Sequence, residues 1–420
     1  MTFNALKSII PGIPKMRISV LLRSPYLHFP LFFFITFSLA FYYFRGLLFS
    51  PLFSRSLYLK QMSHEFLSQN MQQGADALEY FHQSFSQIEN KALYNATFPC
   101  TKTPVAPILP SVPSGRTLLV VTIITTRRQA EYHYLLQVAH SFLKQISECG
   151  PNCYDVRLLI CNVDLYPASH EDACLLSQLL SSVERHVEGQ EDDSPNIFER
   201  EKQDYAFCLS STLEVFNPEY VLLIEDDAVA EAEIFSAFFE LVHVRFSQEP
   251  LGGGLYTKLY HPERLQGYLN PEPMRILEWF GLGSLTGLAL NFGYTLLFYQ
   301  LRFSWRQFIA LALYSMLMAE LFGRHYILEL RRILPALYNV VPATECCTPA
   351  MLFSESSARR TLVYLDELTC KAGYAKDTAL YRELGRRGER AWALEPNMVK
   401  HVGLFSTLRG SFDNTEPQLL

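Results

Sequence analysis

An α/β fold interrupted by apolar membrane segments is expected for this chain from three features. Apolar stretches of strand length alternate with amphipathic stretches of helix length across residues 117–259. Three consecutive acids, Glu225-Asp226-Asp227, directly follow one of the apolar stretches. Longer apolar runs, beginning at residues 24 and 279, reach the length of a membrane span. Alternating strands and helices favour a mostly parallel sheet that is covered on both faces.

The alternating region divides into short elements. Strands are predicted over residues 117–125, 155–162, 220–224 and 255–259, and helices over residues 131–147, 172–186, 199–215 and 228–246. Before this region, residues 58–94 are expected to form an amphipathic stem helix, and the proline-rich residues 98–114 an extended linker.

Composition excludes several classes of protein. The chain has 420 residues, of which 49% are hydrophobic and 19% charged, so it can bury a large core. Its formal net charge of −6 provides no overall basic surface, and nucleic acid is not an expected partner. No glycine-rich motif of the dinucleotide-binding or P-loop type opens a predicted helix.

The apolar run over residues 24–44 follows several basic residues and no acid. Its length spans a bilayer, and the basic flank predicts a cytosolic N-terminus. A cleaved signal peptide is the alternative, but the run is long and no small-residue cleavage motif follows it. A retained signal anchor would place the remainder in the secretory lumen, in agreement with the glycosylation sequon Asn95-Ala96-Thr97.

All nine cysteines follow this anchor, where disulfides can form. Cys149 and Cys153 flank a Gly-Pro turn and are a candidate local disulfide. The adjacent Cys346 and Cys347 leave the choice open between a vicinal disulfide, two thiols and two separate bridges. No cysteine or histidine spacing indicates zinc.

A second membrane element is predicted inside the folded region. Residues 279–301 are free of charge, Arg302 and Arg306 form a short basic turn, and residues 308–322 are apolar except for Glu320. This pattern predicts a transmembrane hairpin that reaches the cytosol at the arginines. Glu320 would be costly in lipid unless it faces a partner helix or the lumenal interface. A buried helical pair in a soluble core is the alternative.

The acidic triplet is the strongest candidate for chemistry. Carboxylates at the end of a strand place hard oxygen ligands at the sheet edge where α/β folds bind ligands, and such an edge can hold a divalent ion against a diphosphate. The alternative is that the acids merely open a helix, where the helix dipole favours them. His401, next to a glycine, is a candidate second ligand, although a lone histidine is usually structural.

Five motifs occur in the order found in GT-A glycosyltransferases, and the similarity covers residues 117–406 outside the hairpin. They resemble most the branching N-acetylglucosaminyltransferase IV group. The motifs are Thr125-Thr126-Arg127-Arg128, Asn162-Val163-Asp164, Lys202-Gln203-Asp204-Tyr205, Glu225-Asp226-Asp227 and the segment from His401 to Ser406. A GT-A domain split by a membrane hairpin behind an N-terminal anchor resembles the Golgi post-GPI-attachment transferases that add N-acetylgalactosamine to the GPI glycan.

This resemblance implies a fold and an activity. The fold would be a Rossmann-like GT-A domain interrupted by a transmembrane hairpin and preceded by a transmembrane helix. The enzyme would be a hexosaminyltransferase that moves N-acetylgalactosamine from UDP-GalNAc to the first mannose of GPI-anchored proteins, in a β1,4 linkage and with inversion. It would use Mn²⁺ or Mg²⁺ and work at the Golgi membrane, in contact with membrane lipid.

The resemblance also implies roles for individual residues. Asp227 and His401 would bind the metal, and Glu225 and Asp226 the nucleotide sugar. The donor pocket would be lined by Arg128, Asp164, Lys202 and Asp204. Asp377 is the candidate general base, with Glu355, Asp366 and Glu367 as alternatives, and with helix capping as the other interpretation of Asp377.

The expected order of segments follows from these features. It comprises a cytosolic tail (1–23), a transmembrane signal anchor (24–49), a lumenal stem and linker (50–114), the first part of the GT-A domain (115–278), the hairpin (279–323), the second part of the domain (324–408) and a C-terminal tail (409–420). Two other functions stay open: a transferase that branches N-glycans, and a non-catalytic membrane scaffold that binds GPI-anchored proteins.

Overall fold

A computed structural model describes residues 25–88, 116–187, 194–246, 254–269, 272–297 and 303–403. The predicted tails, the sequon, the proline-rich linker and Arg302 lie outside these residues. The chain divides into two compact units. One comprises Met1–Arg55 with Gln266–Ile327, and the other comprises Ser56–Leu265 with Leu328–Leu420.

The second unit, called the sheet unit below, alternates strands and helices. Its strands are β1 (Leu119–Thr125), β2 (Val156–Asn162), β3 (Ser181–Glu184), β4 (Tyr220–Glu225), β5 (Ala228–Ala230), β6 (Tyr256–Lys258), β7 (Asn339–Pro342), β8 (Ala350–Ser354), β9 (Ala391–Glu395) and β10 (Val399–His401). Its helices are α2 (Arg55–Ile88), α3 (Tyr134–Cys149), α4 (Glu171–Ser177), α5 (Ile197–Phe216), α6 (Ile234–Phe239), α10 (Glu355–Glu367) and α11 (Lys376–Arg387).

Eight strands form one mixed sheet in the order β3-β2-β1-β4-β8-β6-β9-β7. The first four strands run parallel to one another, whereas β8 is antiparallel to β4 and to β6. The prediction of an α/β fold is therefore confirmed, although antiparallel pairs make the sheet mixed rather than mostly parallel.

The central strands form because their residues suit a sheet that is buried on both faces. β1 has the sequence LVVTIIT, in which β-branched residues predominate, and six of its seven residues are buried. Its parallel register pairs Thr125 with Asn162 of β2 and Ile124 with Glu225 of β4. The carboxyl ends of these three strands therefore meet at one edge of the sheet, which concentrates their following loops there.

A small antiparallel ribbon stands beside this edge. β5 follows the acidic triplet and pairs with β10, so that His401 lies opposite Ala228. The backbone N–H of Val402 also donates to the carbonyl of Asp227 at 2.8 Å. This long-range pairing brings the C-terminal motif to the acidic triplet.

Two predicted helices are wrong in part. The helix predicted over residues 172–186 ends at Ser177, and Ser181–Glu184 instead form β3, since they extend the open edge of β2. The helix predicted over residues 228–246 begins at Ile234 because Ala228–Ala230 pair with β10. In both places pairing with another strand overrides local helix preference.

The predicted stem helix is longer at its start and is part of the sheet unit. α2 buries Ala77, Phe81 and Phe85 in the same apolar cluster as β1. Its Asn70, which is 2% exposed, donates to the carbonyl of Val402 at 2.8 Å. This helix therefore braces the segment that carries His401.

Three disulfides lie in the described residues. The predicted Cys149–Cys153 bridge is confirmed, and Cys346 and Cys347 are joined to each other. A third bridge, Cys161–Cys208, links β2 to α5 and was not predicted.

The other unit, called the helical unit below, contains three apolar helices: α1 (Pro25–Phe44), α7 (Pro273–Leu297) and α8 (Trp305–Phe322), followed by the short α9 (Arg324–Leu328). Among the described helices, α7 alone is long and apolar enough to cross a bilayer, and the apolar part of α1, His28–Phe44, is shorter.

The helices α7 and α8 pack in antiparallel fashion. Gly283 contacts Met316 and Gly287 contacts Ala312, so the contacts progress in opposite directions along the two helices. A side chain at Gly287 would place its Cβ 2.6 Å from the backbone nitrogen of Ala312. Small residues permit this close approach of two helix backbones. The predicted helical pair is thus present, and its placement in a membrane stays a prediction.

Candidate active site

The acidic triplet stands at the carboxyl end of β4. Glu225 is half-buried, whereas Asp226 and Asp227 are each 2% exposed. Burying two adjacent carboxylates is costly unless each receives a countercharge or hydrogen bonds. The surrounding loops supply both.

Arg128, in the loop after β1, is the countercharge. Its Nη2 lies 2.7 Å from Oδ1 of Asp226, and its Nη1 lies 2.6 Å from Oδ2 of Asp227. Burial lowers the pKa of Arg128, but the neighbouring carboxylates raise it more, so the guanidinium stays charged. The planar guanidinium presents several N–H donors in a fixed fork, so it can face two carboxylates at once.

Asp226 is the more fully hydrogen-bonded member of the pair. Its Oδ2 accepts from Oγ1 of Thr125 at 2.9 Å and from the N–H of Thr126 at 3.3 Å. Thr125 in turn contacts Nε2 of His170 at 2.8 Å. Burial raises the pKa of Asp226 to about 6, against the opposing effect of Arg128. These contacts fix the loop after β1 against the end of β4.

Asp227 has a different environment. Its Oδ2 lies 3.5 Å from Nε2 of His401. Burial raises the pKa of Asp227, but Arg128 and His401 lower it more, so the net shift is downward and the carboxylate is anionic. Its Oδ1 is buried and has no hydrogen-bond partner among the described residues. A buried anionic oxygen without a partner is unfavourable unless a cation or a donor binds it.

The residues around that oxygen fit a divalent cation. One ligand atom from each of Glu225, Asp227 and His401 lies within 4.8 Å of the other two. Two carboxylates and one imidazole are a donor set that suits Mn²⁺ and Mg²⁺ better than soft metals. Gly403 closes the site, since a Cβ there would lie 2.0 Å from Oδ2 of Asp227.

A cleft of about 190 Å³ adjoins Asp226. It lies between the loop after β1 and the start of α4, and its walls carry Arg128, His133, His170 and Asp172. His133 Nδ1 contacts Oδ1 of Asp172 at 2.8 Å, which raises the pKa of His133. Burial lowers the pKa of His170, so this imidazole is neutral. The cleft thus combines polar and apolar lining residues and adjoins the acidic triplet through Asp226.

Asp164 organises the wall of this cleft. Its Oδ2 accepts from the N–H of Arg127 at 2.8 Å and from Oγ1 of Thr126 at 3.1 Å. Its Oδ1 accepts from the N–H of Tyr166 at 2.8 Å. Asp164 therefore ties the loops after β1 and β2 together, close to Arg128.

Lys202 and Asp204 make their contacts elsewhere. Nζ of Lys202 lies 2.7 Å from Glu199 and donates to the carbonyl of Leu368 at 2.7 Å. Asp204 forms an ion pair with Arg185, which follows β3. These contacts connect α5 to its neighbours and do not join the acidic triplet.

Asp377 and its neighbours form the other side of the site. Oδ2 of Asp377 accepts from the N–H of Cys347 at 3.2 Å, and Oδ1 accepts from the N–H of Thr378 at 2.7 Å. The preceding Lys376 is buried, with Nζ 3.4 Å from Glu225 and in an ion pair with Glu201. The alternatives Glu355 and Glu367 form ion pairs with arginines. Arg116 and Arg359 contact Glu355, and Arg386 and Arg387 contact Glu367.

Several site residues were missed by sequence analysis. Thr125 and Lys376 contact the acids directly, and His170 contacts Thr125. Asn70 and Gly403 support the His401 segment. The TTRR motif contained Thr125, so its role could have been inferred. The others lie in segments whose neighbours become apparent only in the folded chain.

The chain is similar to one solved structure over part of its length and to one protein family by sequence. Among solved structures, the crystal structure of apo mouse xyloside xylosyltransferase 1 matches 65% of this chain and 83% of its own chain, at 11% identity and a TM-score of 0.30. The sequence model of the family described as GPI-N-acetylgalactosamine transferase PGAP4 matches residues 119–400. That match covers more than half of the chain and includes the acidic triplet, so this protein belongs to the GPI-N-acetylgalactosamine transferase PGAP4 family and is a glycosyltransferase.

Proposed function

We propose that this enzyme transfers N-acetylgalactosamine from UDP-GalNAc to the first mannose of the GPI glycan, in a β1,4 linkage, with inversion and with a divalent metal. The observation that carries the proposal is the buried Oδ1 of Asp227, which lacks a partner among the described residues and lies beside Glu225 and His401. The family match supports this class of donor and acceptor.

Asp227 and His401 would hold Mn²⁺ or Mg²⁺, with Glu225 at the same site. When bound, the ion would supply positive charge to the diphosphate of the donor and so favour its departure. Arg128 would share this task, and its contacts with both aspartates, which fix its position, support that role. Asp226, tied down by Thr125, would keep the loop after β1 in place.

The cleft between the β1 and β2 loops is suited to the nucleoside of the donor. It offers His133, Asp172 and the backbone of residues 126–130 as hydrogen-bonding groups, and it opens next to Arg128. Asp164 would shape this pocket from beneath by holding the N–H of Arg127. Lys202 and Asp204 would affect donor binding by positioning α5, because their contacts hold that helix and do not reach the acidic triplet.

Asp377 is the proposed general base. It would accept the proton of the mannose hydroxyl while that oxygen forms a bond to the anomeric carbon and the bond to UDP breaks on the opposite face. Its two hydrogen bonds from backbone N–H groups fix its orientation. Inversion requires one such base on the acceptor side and no covalent intermediate.

We also propose that the helical unit spans the Golgi membrane, with α1 as the anchor and α7 and α8 as the inserted hairpin. Large apolar side chains are exposed on all three helices, including Phe34 (72%), Leu285 (71%) and Trp305 (69%). Soluble proteins rarely expose such surfaces, and lipid would cover them. Because the GPI glycan is tethered to a lipid, attachment at two places raises the effective concentration of acceptor at the lumenal site.

The proposal is tested on GPI glycans released from cells that lack this protein. Cells that re-express the wild type should regain the HexNAc side branch by mass spectrometry, and so should cells with the exposed control Glu148→Gln. Cells with Asp227→Ala should not regain it. Restoration by Asp227→Ala, or absence of HexNAc with the wild type, would refute the proposal. In vitro, faster UDP release from UDP-GlcNAc than from UDP-GalNAc would instead support the N-glycan branching alternative.

A further inference from the structure

The vicinal disulfide stands at an unusual position, in the segment 344–348 between β7 and β8. This segment reaches the acidic triplet at its end, where Oγ1 of Thr348 donates to Oε1 of Glu225 at 3.2 Å. The adjacent carbonyl of Pro349 accepts from the N–H of Glu225 at 2.9 Å. The disulfide thus directly precedes, in the sequence, the residue that contacts Glu225.

The same segment contacts the proposed base. The N–H of Cys347 donates to Oδ2 of Asp377 at 3.2 Å. A general base must reach the hydroxyl that it deprotonates. The acceptor sugar must therefore approach Asp377 beside the Cys346–Cys347 ring, which is partly exposed.

A buried lysine holds the segment from behind. Nζ of Lys258, a residue that is 2% exposed, donates to the carbonyls of Thr344 and Cys346, at 2.8 Å in each case. Cys347 has a φ of 71°, a left-handed value that is rare for a residue with a side chain. Such a conformation persists when its surroundings enforce it, and it is common at ligand-binding positions.

We propose that the Cys346–Cys347 disulfide is a binding platform for the apolar C–H face of the acceptor hexose. The ring closed by adjacent cysteines is rigid and apolar, and it has no hydrogen-bond donors on its sulfur atoms. When a sugar ring packs on the disulfide, apolar surface of the sugar is removed from water. The hydroxyl groups of the sugar stay free to face Asp377. Lys258, Thr348 and Asp377 hold this platform ready, which lowers the cost of ordering it on binding.

This inference rests on the proposed function and concerns the acceptor alone. The double variant Cys346→Ser/Cys347→Ser removes the ring but keeps two residues of similar size. In full-length protein in detergent, we expect it to raise KM for a GPI acceptor about tenfold, which corresponds to about 1.4 kcal/mol of binding. UDP release from UDP-GalNAc without acceptor should be unchanged. Cys149→Ser/Cys153→Ser is the matched control. This disulfide precedes the amino end of β2, away from the site, and its loss should leave both values unchanged.

Lys258→Met provides a second test that leaves the cysteines intact. Because it removes the support of Thr344 and Cys346, it should also raise the acceptor KM and spare acceptor-free UDP release. An unchanged acceptor KM in the double cysteine variant would overturn the platform while leaving the proposed function intact. A fall of about tenfold in acceptor-free UDP release by the double cysteine variant would also overturn the platform, since the disulfide would then support the whole site. Wild-type protein without UDP release or transfer would overturn both.

Discussion

The imidazole of His401 lies 3.5 Å from the carboxylate of Asp227, although the two residues belong to distant parts of the chain. The β5–β10 ribbon creates this contact, and Asn70 of α2 braces it from outside. The candidate metal ligands are therefore held together by three segments: the end of β4, the C-terminal motif and the helix before the sheet. Loss of any of the three should affect the same function.

Gly403 tests how tightly the site is built. Gly403→Ala would place a Cβ 2.0 Å from Oδ2 of Asp227, so either the carboxylate or the ribbon must move. We expect acceptor-free UDP release to fall about 100-fold, because small displacements of catalytic groups have effects of that size. Gly385→Ala, in a helix where a Cβ meets nothing within 4 Å, is the control. It should retain activity and gain up to about 1 kcal/mol of stability.

Arg128 should contribute more stability without metal than with it. Arg128→Met leaves two buried carboxylates without their countercharge, and loss of one partner from a buried ion pair costs about 3–5 kcal/mol. Bound Mn²⁺ would replace part of the missing charge. Thermal unfolding in detergent should therefore show a larger loss of Tm in EDTA than in Mn²⁺. Arg127→Met, an exposed neighbour, should show little loss in either, and equal losses for Arg128→Met in both would contradict this account.

How much of the fold was foreseen depends on whether local sequence determined it. The strands LVVTIIT and YVLLIE are apolar on both faces and were predicted close to their observed ends. Ala228–Ala230 and Ser181–Glu184 were predicted as helix, because local sequence does not show that they pair with β10 and β2. The Cys161–Cys208 bridge was missed for the same reason, since spacing alone does not reveal which cysteines meet.

The pair of His133 and Asp172 should make stability depend on pH. The contact with Asp172 raises the folded-state pKa of His133 above the unfolded value of about 6.5. The contribution of this ion pair to the free energy of unfolding is therefore fully present below about pH 6.5 and is lost as pH rises through the folded-state pKa of His133. A double-mutant cycle of His133→Asn and Asp172→Asn, followed by thermal unfolding, should give a coupling energy of about 1 kcal/mol at pH 6 and a smaller one at pH 8.5. A coupling energy that increases from pH 6 to pH 8.5 would contradict this prediction.

The close approach of α7 and α8 gives a prediction about the helical unit. Gly287→Ala should destabilise the helix pair by about 1–3 kcal/mol, because the new Cβ would lie 2.6 Å from the backbone of Ala312. Gly281→Ala and Gly293→Ala are matched controls on the same helix, since a Cβ at either position meets nothing within 4 Å. Thermal unfolding of the full-length protein in detergent should show a lower Tm for Gly287→Ala than for the two control variants. Equal stability of all three variants would argue against this packing.

The candidate site was foreseen to the extent that short motifs contain it. The acidic triplet and Arg128 follow predicted strands, so their convergence at one edge could be expected from the topology. His401 was a candidate ligand from its position next to a glycine, and the family resemblance strengthened that expectation. The sequence did not indicate that Lys376 pairs with Glu225 or that Lys258 supports Cys346, because these contacts join segments separated by the hairpin.

Binding of Mn²⁺ to the purified full-length protein in the presence of UDP, measured by isothermal titration calorimetry, is decisive for the proposed mechanism. The wild type and the exposed control Glu148→Gln should bind the ion with equal affinity. Asp227→Asn and His401→Gln should each weaken binding by at least about tenfold, and both should lose transfer of N-acetylgalactosamine. Wild-type affinity for Mn²⁺ in Asp227→Asn would contradict a metal site built on this carboxylate.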